Sequence, residues 1–283
     1  MAARTDIASE SPYIKDGSKE GIKSNTQSYE KAAADITRVE IISEQAAQQI
    51  GKPKGRYLTV KAYNGGFDTA PECFNERALL LSKEISMLLP KDMSSGVLFA
   101  GLGNRQITPD CVGPLAADRI LATRHIESGV LKALGELERV SVISPGVLAQ
   151  TGLESAELIR LIAARISPSL IIVCDAFACS DMDNLGCTVQ LCDTGISPGS
   201  GVHNSRAEIS QNTMGIPCIA IGIPTVAEIS AVSGIKDEEY KGMIITPSRI
   251  DTIVSHGAAL ISLAVNLAIH RQLTAEEINA LVG

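Results

Sequence analysis

Two aspartates carry the strongest chemical signal in the chain. Asp110 lies in the turn after the apolar run Gly96-Val97-Leu98-Phe99-Ala100, and Asp175 closes the run Leu170-Ile171-Ile172-Val173-Cys174. A continuous β-branched run is how a strand buried on both faces reads, and in open parallel sheets ligands collect beyond the carboxyl ends of such strands. Two carboxylates delivered to one edge can share a proton and activate water. Thr108 suits an N-cap and Pro109 a first helical position, so Asp110 falls in a first helical turn, where the helix dipole favours an ionised carboxylate. Each aspartate alone is equally well explained as a cap or turn residue. The pair is what points to hydrolysis.

Glycines gather near both runs. Gly101, Gly103 and Asn104 follow the first, while Gly195, Gly199 and Gly201 punctuate Asp193-Thr194-Gly195-Ile196-Ser197-Pro198-Gly199-Ser200-Gly201. Such loops permit close backbone approach or an anion-binding nest, which makes them candidate substrate-binding and oxyanion loops. A dinucleotide fingerprint would need glycine where Gln106 stands, and neither a Walker A loop nor an HExxH pair occurs. Cys111 with His203 as a distant base is a conceivable nucleophile, but such pairings arise readily by chance. Cys174, Cys179, Cys187 and Cys192 form no CxxC pair and read as core or strand cysteines. His256 and His270 fall on a long C-terminal helix as surface or packing residues.

The elements that must position these residues follow from periodicity. Residues 1–26 are polar and read as a mobile arm, leading into a helix whose apolar positions Ile36, Val39, Ile42, Ala46 and Ile50 recur at helical spacing. The stretch 57–62 alternates as a half-buried strand, and further strands are expected near 96–100, 139–143, 170–174, 187–192, 218–223 and 243–246. Helices are expected near 75–89, 112–125, 153–166, 225–232, 249–270 and 274–281. The alternation predicts an α/β fold with a mainly parallel sheet flanked by helices on both faces, and a small antiparallel excursion within 175–217. One α/β domain, 27–283, follows the arm.

Composition narrows the function classes. Lys+Arg 25 against Asp+Glu 32 gives a net charge of −7, with no basic run, so no direct nucleic-acid partner is expected. Aromatic residues make up only 3% and Trp is absent, which argues against base-stacking platforms. Seven cysteines, an odd number in a large apolar chain, suit a reducing cytoplasm. No signal peptide and no apolar run of membrane-spanning length is expected, hence no membrane partner.

Several blocks together resemble the germination (spore) protease family, the endopeptidases of small acid-soluble spore proteins. They are Gly101-Leu102-Gly103-Asn104, Thr108-Pro109-Asp110 with Gly113-Pro114, and Ser144-Pro145-Gly146-Val147-Leu148-Ala149-Gln150-Thr151-Gly152-Leu153-Glu154. The likeness continues in Asp175-Ala176, Asp193-Thr194-Gly195-Ile196 with Pro198-Gly199-Ser200-Gly201-Val202, and Ile221-Gly222-Ile223-Pro224-Thr225-Val226. The resemblance implies an atypical aspartic endopeptidase with its catalytic aspartates at Asp110 and Asp175. It also implies a fold like the hydrogenase maturation proteases (phosphorylase/hydrolase-like), in which acidic residues bind a metal, leaving a divalent metal at Asp110/Asp175 open. It further implies a zymogen, a homotetramer, a place in the forespore or spore core, and substrates that coat spore DNA.

Family substrates are cut at a sequence like Thr/Ser-Glu before Phe/Ile/Leu-Ala-Ser-Glu, and this chain carries Thr5-Asp6-Ile7-Ala8-Ser9-Glu10. The resemblance therefore implies self-processing between Asp6 and Ile7. Two rivals stand beside it: a metal-dependent maturation peptidase trimming a single partner protein, and a non-enzymatic nucleotide or anion-binding module built on the 193–202 loop.

Overall fold

The computed structural model describes residues 5–15, 20–63, 66–67, 70–199, 206–229 and 243–282. Their strands are β1 (Ile22–Tyr29), β2 (Ala34–Ile41), β3 (Gly55–Ala62), β4 (Val97–Gly101), β5 (Val140–Ile143), β6 (Leu170–Cys179), β7 (Thr188–Cys192), β8 (Cys218–Glu228) and β9 (Ile244–Ile245). The helices are α1 (Pro12–Lys15), α2 (Glu44–Ile50), α3 (Phe74–Leu88), α4 (Val112–Ala117), α5 (Ser128–Ala133), α6 (Leu148–Thr151), α7 (Ser155–Ile166), α8 (Gln211–Met214), α9 (Ile250–Ile269) and α10 (Ala275–Val282).

All strands join one sheet in the order β1-β2-β3-β7-β8-β6-β4-β5, with β9 added to β8. β5, β4, β6 and β8 run parallel, whereas β7, β3, β2 and β1 continue the sheet antiparallel. The α/β class stands. The sheet is more evenly mixed than the strand–helix alternation suggests, because β1 and β2 come from a stretch expected to be arm and helix.

That difference has a physical cause. In β2, Ile36 faces the core beneath α3 and α9, while Val39 and Ile41 face the opposite layer with α2. A strand buried on both faces, with its apolar residues three apart, imitates helical spacing. The helix expected over 29–50 is therefore β2 followed by the shorter α2, which Ser43 caps by accepting from the Ala46 N–H at 3.1 Å. β1 is a polar strand in which only Ile22 is buried, so its sequence looks like arm. The boundary at residue 26 falls inside β1. Nor is the N-terminal segment detached where it is described, since Ile7 and Ala8 are fully buried.

Both sheet faces are covered. Leu170, Ile172 and Cys174 of β6 point toward α3, α4 and α9, and Ile171 and Val173 point toward α7. By the same alternation Asp175 belongs to the α7 side. α9 is long and apolar enough to cross a membrane by length and composition, which corrects the expectation that no such run exists. Within that helix 72% of the apolar window is buried, as in the core helix of a folded domain.

Two further expectations change. The helix expected over 112–125 stops as α4 at Ala117, where the Asn266 side chain captures the departing backbone through Leu121 N (3.0 Å) and Arg119 O (2.8 Å). No helix begins at 225: β8 runs on to Glu228, with Thr225 as the extra residue of a register shift between the pairs Phe177–Pro224 and Ala178–Val226, after which β-branched Val226 resumes the ladder. Residues 230–232 of that expected helix lie outside the described residues.

Candidate active site

β4 ends at Gly101, opposite Cys174 of β6. Asp175 is thus not the end of its strand, as the sequence suggested, but the first β6 residue beyond the end of β4. The chain leaving β4 is pinned there, with Leu102 N–H donating to Cys174 O at 2.8 Å. It then loops back so that the 3-10 turn Thr108–Asp110 and α4 lie against the strand ends.

Glycines make this return possible. A Cβ on Gly101 would sit 2.2 Å from Gly113 O, and one on Gly113 would sit 2.4 Å from Cys174 O. Gly103 has φ +123°, and its Cβ would lie 1.9 Å from Asp110 O. Gly101 and Gly103 therefore have a structural reason to be glycine, namely seating the Asp110 turn on the sheet edge.

Asp110 and Asp175 line one cavity of about 430 Å3, together with Asp6, Gly103, Asn104, Phe177, Ser197, Gly199, Arg206 and Thr225. The Asn104 N–H donates to Asp110 Oδ2 at 2.7 Å, and the Ala176 N–H donates to Asp175 Oδ1 at 2.9 Å. The Asn104 side chain is engaged elsewhere, accepting from Gln150 Nε2 at 2.6 Å and Gln106 N at 2.9 Å. Asp175 is 6% exposed. Burial first, and the Asp110 charge second, hold its carboxyl well above the usual carboxylate range. Asp110 is also raised by burial, but the Asn104 N–H opposes the shift. Asp175 is raised the further of the two and so holds its proton more tightly.

The second glycine-rich loop enters the same cavity. Ile196 and Ile209 exchange backbone hydrogen bonds of 2.9 and 2.8 Å, and a Cβ on Gly195 would lie 2.1 Å from Ile209 O. Gly195 thus serves close packing, whereas Ser197, Pro198 and Gly199 face the cavity. Asp193 turns away to Arg56, accepting from N and Nε at 2.7 Å each. Gly201 and His203 lie outside the described residues.

Cys111 is a poor nucleophile in this setting. Its Sγ donates to Arg105 O at 3.1 Å, and burial together with Asp110 pushes its thiol up. His256 is exposed and His270 buried. Among the described residues no group of three or more His, Cys, Asp or Glu side chains is placed to hold a metal ion. Asp110 and Asp175 alone fall short of the three protein ligands of a catalytic zinc centre.

The N-terminal segment reaches this site. Asp6 N–H donates to Ala178 O at 2.9 Å, and Asp6 Oδ2 accepts from Ala178 N at 2.8 Å. Lys52, delivered by the left-handed Gly51 that ends α2, donates to Thr5 O (3.2 Å) and Asp6 O (3.1 Å). Ile7 packs with Phe177, Cys179 and Ala227. The sequence offered Asp6 as an expected processing position and gave no sign that it forms a wall of the aspartate cavity. Lys52, Arg206 and Thr225 gave no signal beyond, for Thr225, its place in the Ile221–Val226 block.

The family model described as germination protease matches residues 3–240. The chain belongs to the germination protease family. Among its relatives, the germination protease of Caldanaerobacter subterraneus subsp. tengcongensis is 33% identical, over all of this chain and 98% of that protein. That of Clostridium tetani is 31% identical over 99% of each chain. That of Priestia megaterium is 38% identical, over 90% of this chain and 68% of the relative. Membership makes the chain a protease of spore germination. Among solved structures, a [NiFe] hydrogenase maturation protease, HycI from Thermococcus kodakarensis, aligns at 18% identity and a TM-score of 0.39, over 64% of this chain and 98% of that one.

Proposed function

We propose that this germination protease is a self-processing endopeptidase of small acid-soluble spore proteins in the spore core, using water activated by Asp110 and Asp175. The observation that carries the reading is the shared cavity: both carboxylates and Asp6, the residue before the expected cut, line the same space. Asp110, favoured as the ionised partner by the Asn104 N–H, takes a proton from water as the oxygen attacks the scissile carbonyl. Asp175, held protonated by burial, donates to the carbonyl oxygen. When the tetrahedral intermediate collapses, its C–N bond breaks, Asp110 passes the proton to the leaving amine, and Asp175 recovers its own from the hydroxyl.

The same chemistry applied to the N-terminal segment cuts between Asp6 and Ile7. Mass spectrometry of protein held under activating conditions should show loss of the first six residues, and an unchanged intact mass would count against self-processing. Incubation of the processed protein with a small acid-soluble spore protein, with and without chelator, maps the substrate cut. Cleavage that survives the chelator supports a metal-free pair, and cleavage abolished by it favours the metal-dependent maturation peptidase. Assembly as a homotetramer belongs to the same proposal and is read by light scattering.

A further inference from the structure

The backbone of Asn104 is committed to building the site. Its N–H donates to Asp110 Oδ2 at 2.7 Å, and its carbonyl accepts from Ile107 N at 3.0 Å, which closes a turn over residues 104–107. The Cys111 thiol fastens the same turn by donating to Arg105 O at 3.1 Å. Only the Oδ1 branch of the Asn104 side chain is engaged: Gln106 N donates to it at 2.9 Å and Gln150 Nε2 at 2.6 Å. A backbone N–H can meet only an acceptor, so the atom facing Gln106 is the oxygen and the amide has one orientation. Nδ2, on the other branch, meets no acceptor among the described residues.

That free donor belongs to a half-buried residue in the wall of the cavity that holds Asp110 and Asp175. It stands on the same residue as the N–H bound to Asp110, and so beside the carboxylate that takes the proton from water in the mechanism above. A donor fixed before substrate arrives needs no reorganisation when charge develops on an oxygen in front of it. The backbone N–H groups of Asn104, Gln106 and Ile107 cannot serve this purpose, because each is already spent inside the loop.

We propose that Asn104 is a further catalytic residue whose Nδ2 donates to the scissile carbonyl oxygen as that oxygen gains charge, with Gln150 as the positioning residue that keeps Nδ2 turned to the cavity. It rests on the hydrolytic reading of Asp110 and Asp175. Asp175 delivers the proton to the carbonyl oxygen, whereas Asn104 keeps its hydrogens and supplies a hydrogen bond. The block 144–154 thereby gains a part in the site: Gln150 lies in α6, and Leu148 and Ala149 of the same helix line the cavity.

The test follows cleavage of a peptide copying residues 3–12 by wild type, Asn104→Ser, Gln150→Glu and the double variant under activating conditions. Ser keeps an oxygen for Gln106 N but lacks the amide donor, so kcat should fall roughly 10²-fold with KM unchanged. The acid limb of the pH profile should stay in place, because the backbone N–H that favours ionised Asp110 is retained. Gln150→Glu sets a carboxylate against Oδ1 and draws Nδ2 toward itself, so kcat should drop several-fold, with no further loss in the Asn104→Ser background. Thermal unfolding shows whether each variant is folded, and Gln150→Glu, at an exposed position, carries the test if Asn104→Ser is not. Wild-type kcat in the folded variants, a loss confined to KM, or a Gln150→Glu loss that persists in full in the double variant overturns the proposal and leaves the hydrolytic reading standing. If wild type cuts no peptide, or if Asp110→Asn and Asp175→Asn cut as well as wild type, that reading fails. Calorimetric titration with the same peptide carrying a phosphinate in place of the Asp6–Ile7 amide then decides for Asn104 alone: binding roughly 10²-fold weaker in Asn104→Ser supports it, and equal binding or none overturns it.

Discussion

Replacing Asp175 with Asn should move activity and stability in opposite directions. The carboxyl is 6% exposed and held well above the usual range by burial and by Asp110. Below about pH 4 the unfolded chain is protonated at this residue too, and the group contributes nothing to pH dependence. As pH rises further, the unfolded state releases the proton while the folded state retains it. Folding stability therefore falls with rising pH until the folded group ionises. Asn keeps the shape without this penalty. A buried group left at odds with its surroundings costs about 1–3 kcal/mol. At ~2.1 cal/mol/K per residue, a chain of 283 residues gains roughly 2–5 °C in Tm from relief of that size. Calorimetry of wild type and Asp175→Asn at pH 4 and pH 8 should show the gain at pH 8 and almost none at pH 4. Peptide cleavage should fall by about 10²–10⁴ at every pH. A variant that cuts at near wild-type rate, or that is less stable than wild type at pH 8, would refute the reasoning.

Asp110→Asn removes the charge that helps hold Asp175 up, so it should abolish cleavage and flatten the decline of stability above pH 4; an unchanged pH–Tm curve would separate the two residues electrostatically. Lys52→Met removes both ammonium contacts to Thr5 and Asp6 carbonyls, each worth about 1.5–3 kcal/mol in a charged hydrogen bond. Amide exchange over residues 6–10 should then quicken at least tenfold, and unchanged exchange would show that the segment is held without Lys52. Burial pushes His270 down to about 4, so in acid the unfolded state takes the proton first and stability is lost between pH 6.5 and 4. His270→Leu should lose that slope, up to ~1.4 kcal/mol per pH unit, and a variant melting with the wild-type slope would contradict it.

The parts of the fold legible in the sequence are those where local pattern and burial agree. β4 and the first half of β6 are short apolar runs, and the two candidate aspartates were visible in the sequence that follows those runs. β1 and β2 were not, because a polar strand resembles an arm, and residues buried on both faces three apart resemble a helix. The extension of β6 beyond Asp175 was hidden as well. Ala176, Phe177 and Ala178 carry no strand signature, and their pairing is supplied by β8 across the sheet. The seat of the N-terminal segment depends on contacts between residues about 170 apart, such as Glu10 with Ser180. Such contacts leave no trace in local periodicity.

One strand joins the proposed catalytic pair to the N-terminal segment. β6 bears Asp175 on the face that lines the cavity, pairs with the N-terminal segment at Ala178, and leads directly into the turn that holds Glu10. Any motion that withdraws the segment must break the Ala178 pair, the Lys52 contacts and the four bonds that the turn after β6 donates to Glu10. A cut after Asp6 severs the first two of these from the rest of the chain, leaving Ile7–Glu10 held by apolar packing and by the donor turn. The proposed self-processing would thus loosen the segment without dismantling the site. The buried aspartate pair is destabilising at neutral pH, so packing alone does not favour its retention, whereas the hydrolytic role proposed for it does.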